Sequence, residues 1–301
     1  MQKIENLKKR LANNEIMIMD GGMGTEILHR GGSTTLPLWS AEALLYRPEI
    51  VQQIHEDYIR AGAEIIITDT FRTTRRAFAK KDIAEKAAEM TQLACDLAQK
   101  AIENARADHE VYIAGSIAPL EECYSPELTP PQKEVEVEHN ELVANLQDGG
   151  VDFILFETMI TLRETLSGVR AAERHAMPFA VSFCCNDKFE LLSGEPLREV
   201  IPQIEPYKPL FIGINCVTVE TANKLVKHLR SITDFPIGAY AQGEGSTDQD
   251  QGWQWRFDEE KNKEAYVQGA KQWAQDGAQV IGGCCGTTPS YIRQLAETLR
   301  M

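Results

Sequence analysis

The segment PLFIGINCVTVETANKLVKHLRSI, residues 209–232, joins a short apolar run to an amphipathic pattern. The run PLFIGINC is typical of a strand in a parallel sheet that is covered on both faces. In TVETANKLVKHLRSI the apolar residues recur at spacings of three and four, which predicts a helix with one buried face. The segment therefore predicts one strand–helix unit.

The same unit recurs along the whole chain. The eight strand candidates are EIMIMDGG from Glu15, AEIIITDTF from Ala63, VYIAGSIAP from Val111, VDFILFET from Val151, PFAVSFCC from Pro178, PLFIGINC from Pro209, PIGAYAQG from Pro236 and QVIGGCCG from Gln279. Eight such units in about 300 residues predict an α/β fold, a (β/α)8 TIM barrel forming a single domain over residues 1–301. A doubly wound open sheet is the alternative, and we expect long loops at 122–140 and 243–262.

Composition excludes several classes of protein. The chain has 301 residues, 43% of them hydrophobic, and a formal net charge of -14. We expect no nucleic-acid partner, because no basic face stands out. We expect no signal peptide, because the first 20 residues are charged and contain only a short apolar stretch. We expect no membrane partner, because no segment approaches the roughly 20 apolar residues of a membrane span. Seven scattered cysteines argue against a disulfide framework. The sequence therefore predicts a cytoplasmic protein with reduced thiols, and a homo-oligomer is possible.

Polar residues follow all eight predicted strands. Active sites of such barrels lie at the carboxyl ends of the strands. In chain order these ends carry Asp20, Gly21 and Gly22; Asp69, Thr70 and Phe71; Ser116; Glu157; Cys184 and Cys185; Asn215 and Cys216; Tyr240 and Gln242; and Cys284 and Cys285. We expect the functional residues among these.

Three of the cysteines are candidates for one metal site. Cys216 ends the sixth strand, and the adjacent Cys284 and Cys285 end the eighth, so a closed barrel brings them to one side of its rim. Three thiolates suit zinc and leave one position open, as in catalytic zinc sites. The glycines at 282, 283 and 286 allow the backbone to aim both neighbouring thiols at one ion. Small buried apolar residues and a redox pair remain alternatives.

Two carboxylates are candidates for binding an amino group. Asp20 stands before the glycines of MDGGMG, whose backbone amides suit a carboxylate, so the pair would hold a zwitterion. Glu157 ends a very apolar strand, where an unpaired charge is costly, and we expect an ammonium partner for it. The alternatives are a helix N-cap for Asp20 and an internal salt bridge for Glu157.

Together these motifs resemble the homocysteine S-methyltransferase family. The matching stretches are MDGGMGTEI, LFETM, LLSGEPL, GINC and GGCCGTTP, in the family's order over nearly the whole chain. The resemblance implies a Zn2+ cofactor held by Cys216, Cys284 and Cys285. It also implies a homocysteine site, to which we assign Asp20, Gly21, Gly22, Met23, Glu157 and Asn215. The implied reaction transfers a methyl group from a cationic donor, S-methylmethionine or S-adenosylmethionine first, to give methionine.

The chain departs from the family pattern where a donor would bind. Ala241 and Gln242 replace a Pro-Asn pair, and Asp69 replaces an Asn. The loop after Asp69 is basic, with Arg72, Arg75 and Arg76. The donor therefore stays open, and Phe71, Trp253 and Trp255 are candidate aromatic faces for a cationic one. Another thiol or selenol substrate, a separate corrinoid carrier, and a zinc-binding or redox-sensing barrel without turnover are the alternatives.

Overall fold

Eight parallel strands form one sheet in the computed structural model, which describes residues 2–248, 252–255 and 260–300. These strands are β1 Met17–Ile18, β2 Ile65–Ile67, β3 Tyr112–Ile117, β4 Phe153–Met159, β5 Phe179–Phe183, β6 Ile212–Asn215, β7 Ile237–Tyr240 and β10 Ala278–Ile281. Gly245–Asp248 (β8) and Gly252–Trp255 (β9) form a separate antiparallel pair.

The sheet curls until its two outer strands meet. The strand order is β1-β10-β7-β6-β5-β4-β3-β2, so β1 and β2 are its edges. An isolated parallel bridge joins Met19 to Ile65, and the Asp20 amide donates to the Ile65 carbonyl at 2.9 Å. The structure therefore confirms the predicted TIM barrel, and the open-sheet alternative is wrong.

Helices surround the barrel. They are α1 Gln2–Ala12, α2 Met23–His29, α3 Glu42–Tyr46, α4 Pro48–Arg60, α5 Arg75–Ala79, α6 Ala87–Ala105, α7 Gln132–Asp148, α8 Leu162–Arg174, α9 Leu197–Ile204, α10 Val219–Ile232, α11 Glu260–Gln275 and α12 Pro289–Leu299. Eight of these helices each follow one barrel strand, namely α4 and α6 to α12.

Two of the predicted loops contain regular structure. The predicted loop 122–140 includes the first turns of α7, where the buried positions are Val135 and His139 among charged residues. That stretch alone shows too little apolar periodicity to predict a helix. The predicted loop 243–262 includes the β8–β9 hairpin and the start of α11. Both loop predictions are therefore wrong in extent.

Side-chain alternation along the strands builds two layers of core. On β4, Phe153 and Leu155 point into the barrel, whereas Ile154 and Phe156 pack against the helices. Glu157 lies two residues after Leu155 and so also points into the barrel, since successive side chains of a strand point to opposite faces. The strand thus delivers a carboxylate to the interior at its carboxyl end.

The helix α1, which the sequence analysis did not predict, lies at the opposite end of the barrel. Its Ile4, Leu7 and Leu11 join the interior cluster, and the Gln279 side chain donates to the Leu11 carbonyl at 2.5 Å. This helix covers the amino-terminal ends of the strands. None of the described helices is long and apolar enough to cross a bilayer.

Candidate functional site

A cavity of about 630 Å³ opens at the carboxyl ends of the barrel strands. Its wall includes four cysteines, three carboxylates and several aromatic rings, contributed by loops after most of the strands. Of the predicted site residues, the structure brings Gly21, Gly22, Met23, Glu157, Cys216, Cys284 and Cys285 to this wall. Asp20 and Asn215 lie behind it.

The three candidate thiols converge. The Sγ atoms of Cys216, Cys284 and Cys285 all lie within 4.8 Å of one another, and those of Cys216 and Cys284 are 2.7 Å apart. All seven cysteines of the chain are free thiols. Cys184 and Cys185, the other adjacent pair, are buried in the core and do not line the cavity.

A turn allows the neighbouring Cys284 and Cys285 to face the same point. The strand β10 ends at Ile281, so neither cysteine has strand geometry. The Cys284 amide donates to the Ala241 carbonyl and the Cys285 carbonyl accepts from Gly243, both at 2.8 Å. Gly286 has a φ of 79°, a left-handed conformation that favours glycine.

Gly282 has a different role from the one predicted. Its backbone is not left-handed, but a Cβ at this position would lie 2.6 Å from the Met19 Cβ and 2.8 Å from the Asp20 carbonyl oxygen. Glycine is needed here because β1 and the end of β10 approach closely, not because the dihedrals are unusual.

Asn215 holds the third thiol in place. Its Nδ2 donates to Thr158 Oγ1 at 2.8 Å and to Cys216 Sγ at 3.4 Å. Its Oδ1 accepts from the Thr158 amide at 3.0 Å and from Ser182 Oγ at 2.9 Å. Every hydrogen-bonding position of this buried amide is occupied, so none is left for a substrate. Asn215 instead positions Cys216, whose φ of 53° is left-handed.

Glu157 is a buried acid on the cavity wall. It is 7% exposed, and its Oε1 accepts from Ser116 Oγ at 2.5 Å. Burial raises the pKa of Glu157 to about 7, although the hydrogen bond from Ser116 favours the ionised form. No ion pair to this carboxylate occurs in the part of the chain that the structure describes. The internal salt bridge considered from the sequence is therefore absent from these residues.

Asp20 is a second acid beside it. Its Oδ2 accepts from the Ile67 amide at 2.8 Å, whereas its buried Oδ1 has no partner. Burial raises the pKa of Asp20 well above its ordinary value, and the charge of Glu157 raises it further. The N-cap of α2 is Gly22, so the alternative of Asp20 as an N-cap is wrong. Asp20 and Glu157 are neighbouring buried acids without a basic partner among the described residues, and such a pair favours the binding of a cation.

The Glu157→Gln substitution is expected to stabilise the ligand-free protein above neutral pH and to change little in acid. Because the folded-state pKa of about 7 exceeds the ordinary 4.5, the folded state keeps its proton over that interval. Wild-type stability due to this group is thus fully present below 4.5 and is lost as the pH rises through about 7. The gain is at most about 3 kcal/mol.

Thermal unfolding of both proteins at about pH 5 and about pH 8 measures this difference. A Tm gain of the variant that is the same at both pH values would contradict the burial of an ionising Glu157.

Several residues of the cavity wall carry no functional signal in the sequence. Trp39 lines the cavity and packs edge-on against Phe71 with ring centroids 5.4 Å apart. Tyr124 and Thr158 line it as well. No local pattern marks these positions, since the fold alone brings them to the rim. Trp255 lines the cavity, and the side chain of Trp253 lies outside the described residues.

Comparison with known proteins agrees with the motifs and the geometry. Residues 17–299 match the family model described as homocysteine S-methyltransferase. The chain belongs to this family. The resemblance inferred from the motifs is thereby confirmed. The prediction of an S-methyltransferase is confirmed as well, in preference to the alternative of a barrel without turnover.

Relatives of this homocysteine S-methyltransferase family member match over nearly their whole length. The homocysteine S-methyltransferase of Escherichia coli (strain K12) is 30% identical over 98% of this chain and 99% of its own. The crystal structure of the metallated homocysteine methyltransferase MmuM from Escherichia coli superposes with a TM-score of 0.84, at 28% identity, over 98% of this chain and 99% of that one. A selenocysteine methyltransferase of Astragalus bisulcatus is 27% identical over 94% of this chain and 92% of its own.

Proposed function

We propose that the protein transfers a methyl group from a cationic donor to the thiol of homocysteine, forming methionine, and that zinc is its cofactor. One observation carries the proposal: three thiols converge on a cavity lined by the buried Glu157, with the buried Asp20 behind the wall, and neither acid has a basic partner among the described residues. The thiols suit a metal that binds sulfur, and the acids suit the ammonium of an amino acid. Family membership supports both assignments.

The thiol cluster fits a zinc ion chemically. The hydrogen bond to Cys284 and burial both raise the pKa of Cys216 well above its ordinary value. Three neighbouring thiolates need a cation among them, and an all-sulfur set favours zinc over harder ions such as magnesium. Cys216, Cys284 and Cys285 would hold it, leaving a fourth position for a substrate. The metallated relative supports a metal in this fold.

Homocysteine would be oriented by both ends of its amino-acid group. We place its ammonium against Glu157 and Asp20, which are buried and carry unsatisfied negative charge when ionised. We place its carboxylate against the backbone of residues 21–23, which lines the same cavity. The side chain then extends toward the three cysteines. Zinc, when bound, supplies a Lewis acid that favours the thiolate form of the substrate sulfur.

The reaction needs positioning more than proton transfer. The homocysteine sulfur attacks the methyl carbon of the donor, a new sulfur–carbon bond forms, and the bond from the methyl group to the donor breaks. The electron pair of that bond leaves with the donor, so a sulfonium departs as a neutral thioether and needs no general acid. Holding the two substrates in line supplies much of the acceleration.

A donor panel tests the proposal. Protein purified without oxygen is given homocysteine with S-methylmethionine, S-adenosylmethionine, betaine, methyl-folate or methylcobalamin, and methionine and zinc are quantified in the same sample. We expect one zinc per chain and methionine from a sulfonium. Zinc-loaded protein that forms no methionine with any donor would overturn the proposal and favour another thiol, a selenol or a corrinoid partner.

An Asn215→Ala variant is expected to bind zinc about 10- to 100-fold more weakly, because groups that orient a metal ligand contribute to metal affinity on this scale. The substitution removes the donor to Cys216 Sγ and both bonds to Thr158. Competition with a chromophoric chelator measures the affinity. Asn6→Ala, which removes an amide at the opposite end of the barrel, is the control. Equal zinc affinity in all three proteins would contradict the positioning role of Asn215.

A further inference from the structure

A third buried carboxyl faces the cavity, and the proposed reaction does not use it. Asp69 follows β2 on the cavity wall and is 2% exposed. Ser40 donates a hydrogen bond to it, but its Oδ2 has no partner. Burial raises the pKa of Asp69 to about 6. A buried carboxylate with an unpaired oxygen is costly unless a ligand satisfies it.

Two aromatic rings line the same cavity and are close in sequence to Ser40 and Asp69. Trp39 precedes Ser40 in the chain, Phe71 lies two residues after Asp69, and both rings line the cavity. The rings contact each other edge-on at 5.4 Å. Aromatic faces beside a carboxylate form a favourable environment for a cation.

The nearby Arg72 makes its hydrogen bonds to backbone carbonyls and not to Asp69. The Arg72 guanidinium lies 5.5 Å from the centre of the Phe71 ring, and its Nη1 donates to the Glu121 carbonyl at 2.7 Å. The same nitrogen is also near the carbonyls of Pro119 and Leu120. Arg72 thus supports the loop after β3 and makes no ion pair with Asp69 within the described residues.

Asp69 follows a different strand from the acids assigned to homocysteine. It comes two residues after β2, whereas Asp20 follows β1, Glu157 belongs to β4, and the thiols follow β6 and β10. Asp20 contacts β2 through the Ile67 amide, and Glu157 is two strands away. The charge of Glu157 raises the pKa of Asp20, whereas the pKa of Asp69 is raised by burial and lowered in part by the hydrogen bond from Ser40. A cavity of about 630 Å³ has room for a second small molecule beside homocysteine.

We infer that Asp69, with Ser40 and the Trp39–Phe71 ring pair, determines donor specificity by binding a protonated primary amine at the end of the donor remote from its methyl-bearing sulfonium. The inference rests on the proposed function, because it assigns the second substrate of that reaction. Asp69 accepts a charge-assisted hydrogen bond from the ammonium, and the rings cover it. A donor such as betaine, whose remote end is a carboxylate with no ammonium beside it, cannot form this hydrogen bond and is repelled by Asp69.

The test separates the donor's amine from its other groups. Wild type and Asp69→Asn are assayed with S-methylmethionine, with its analogue lacking the amino group and with its analogue lacking the carboxyl group. We expect the variant to raise KM for the two amine-bearing donors by about tenfold to a hundredfold. We expect unchanged KM for the donor without an amine and for homocysteine. Asp152→Asn, at the opposite end of the barrel, is the matched control.

Calorimetric titration of S-methylmethionine into protein without homocysteine gives an independent readout. A loss of affinity in Asp69→Asn that matches the KM change supports the inference. Equal losses with all three donors would show a structural role and overturn it, as would no loss with any. If no donor yields methionine, the proposed function fails, and the titration still decides whether Asp69 binds an amine-bearing sulfonium.

Discussion

A Cys284→Ser variant is expected to lose its zinc and to form methionine at less than about 1% of the wild-type rate. The Cys284 Sγ lies 2.7 Å from that of Cys216, and its chain neighbour Cys285 belongs to the same group. A serine hydroxyl is far less acidic than a thiol and a poorer ligand for a soft metal site. Without the ion, the homocysteine thiol, whose ordinary pKa is about 8.5, stays mostly protonated at neutral pH.

A matched control separates loss of the metal from loss of a buried cysteine. Cys185→Ala alters the other adjacent cysteine pair, which is buried in the core beside Leu191 and does not line the cavity. This control should keep its zinc and its activity. Metal content and methionine formation are measured on the same preparations. Full zinc with full activity in Cys284→Ser would remove Cys284 from the proposed ligands.

The fold was predictable because its signal is repeated. Eight apolar runs alternate with amphipathic helices, so an error in one unit leaves the pattern intact. The elements that the sequence did not predict are those that lie outside this alternation of strands and helices. The helix α1 precedes the first strand, and the β8–β9 hairpin, with the sequences GSTD and GWQW, has no continuous apolar run. Neither affects the order of the barrel strands.

The site was predictable where position in a strand determines direction. Glu157 continues the inward phase of Phe153 and Leu155, and the three cysteines follow strands whose ends share a rim. Asn215 shows the limit of this argument. It stands at a strand end like the others, but the left-handed backbone of the next residue and four hydrogen bonds hold its side chain behind the wall. Such a conformation is a product of tertiary structure and leaves no pattern in the sequence.

Glu157→Gln is expected to raise KM for homocysteine about a hundredfold while the zinc content stays unchanged. The substitution keeps the shape of the side chain and its partner Ser116, but removes the charge that we assign to the substrate ammonium. Because burial raises the pKa of Glu157 to about 7, the wild-type affinity for homocysteine should also rise as the pH increases through that value. The variant should lack this pH dependence. Asp20→Ala should change KM in the same direction.

Steady-state kinetics with two thiols measure this effect. Homocysteine is compared with the analogue that lacks the α-amino group. The KM for this analogue should differ little between wild type and variant. An equal increase of KM for both thiols would assign Glu157 to the structure of the wall instead of to the ammonium. In that case the buried charge of Glu157 would lower the stability of the ligand-free protein without binding a substrate. We therefore expect the substitution to exchange substrate affinity for stability in one step.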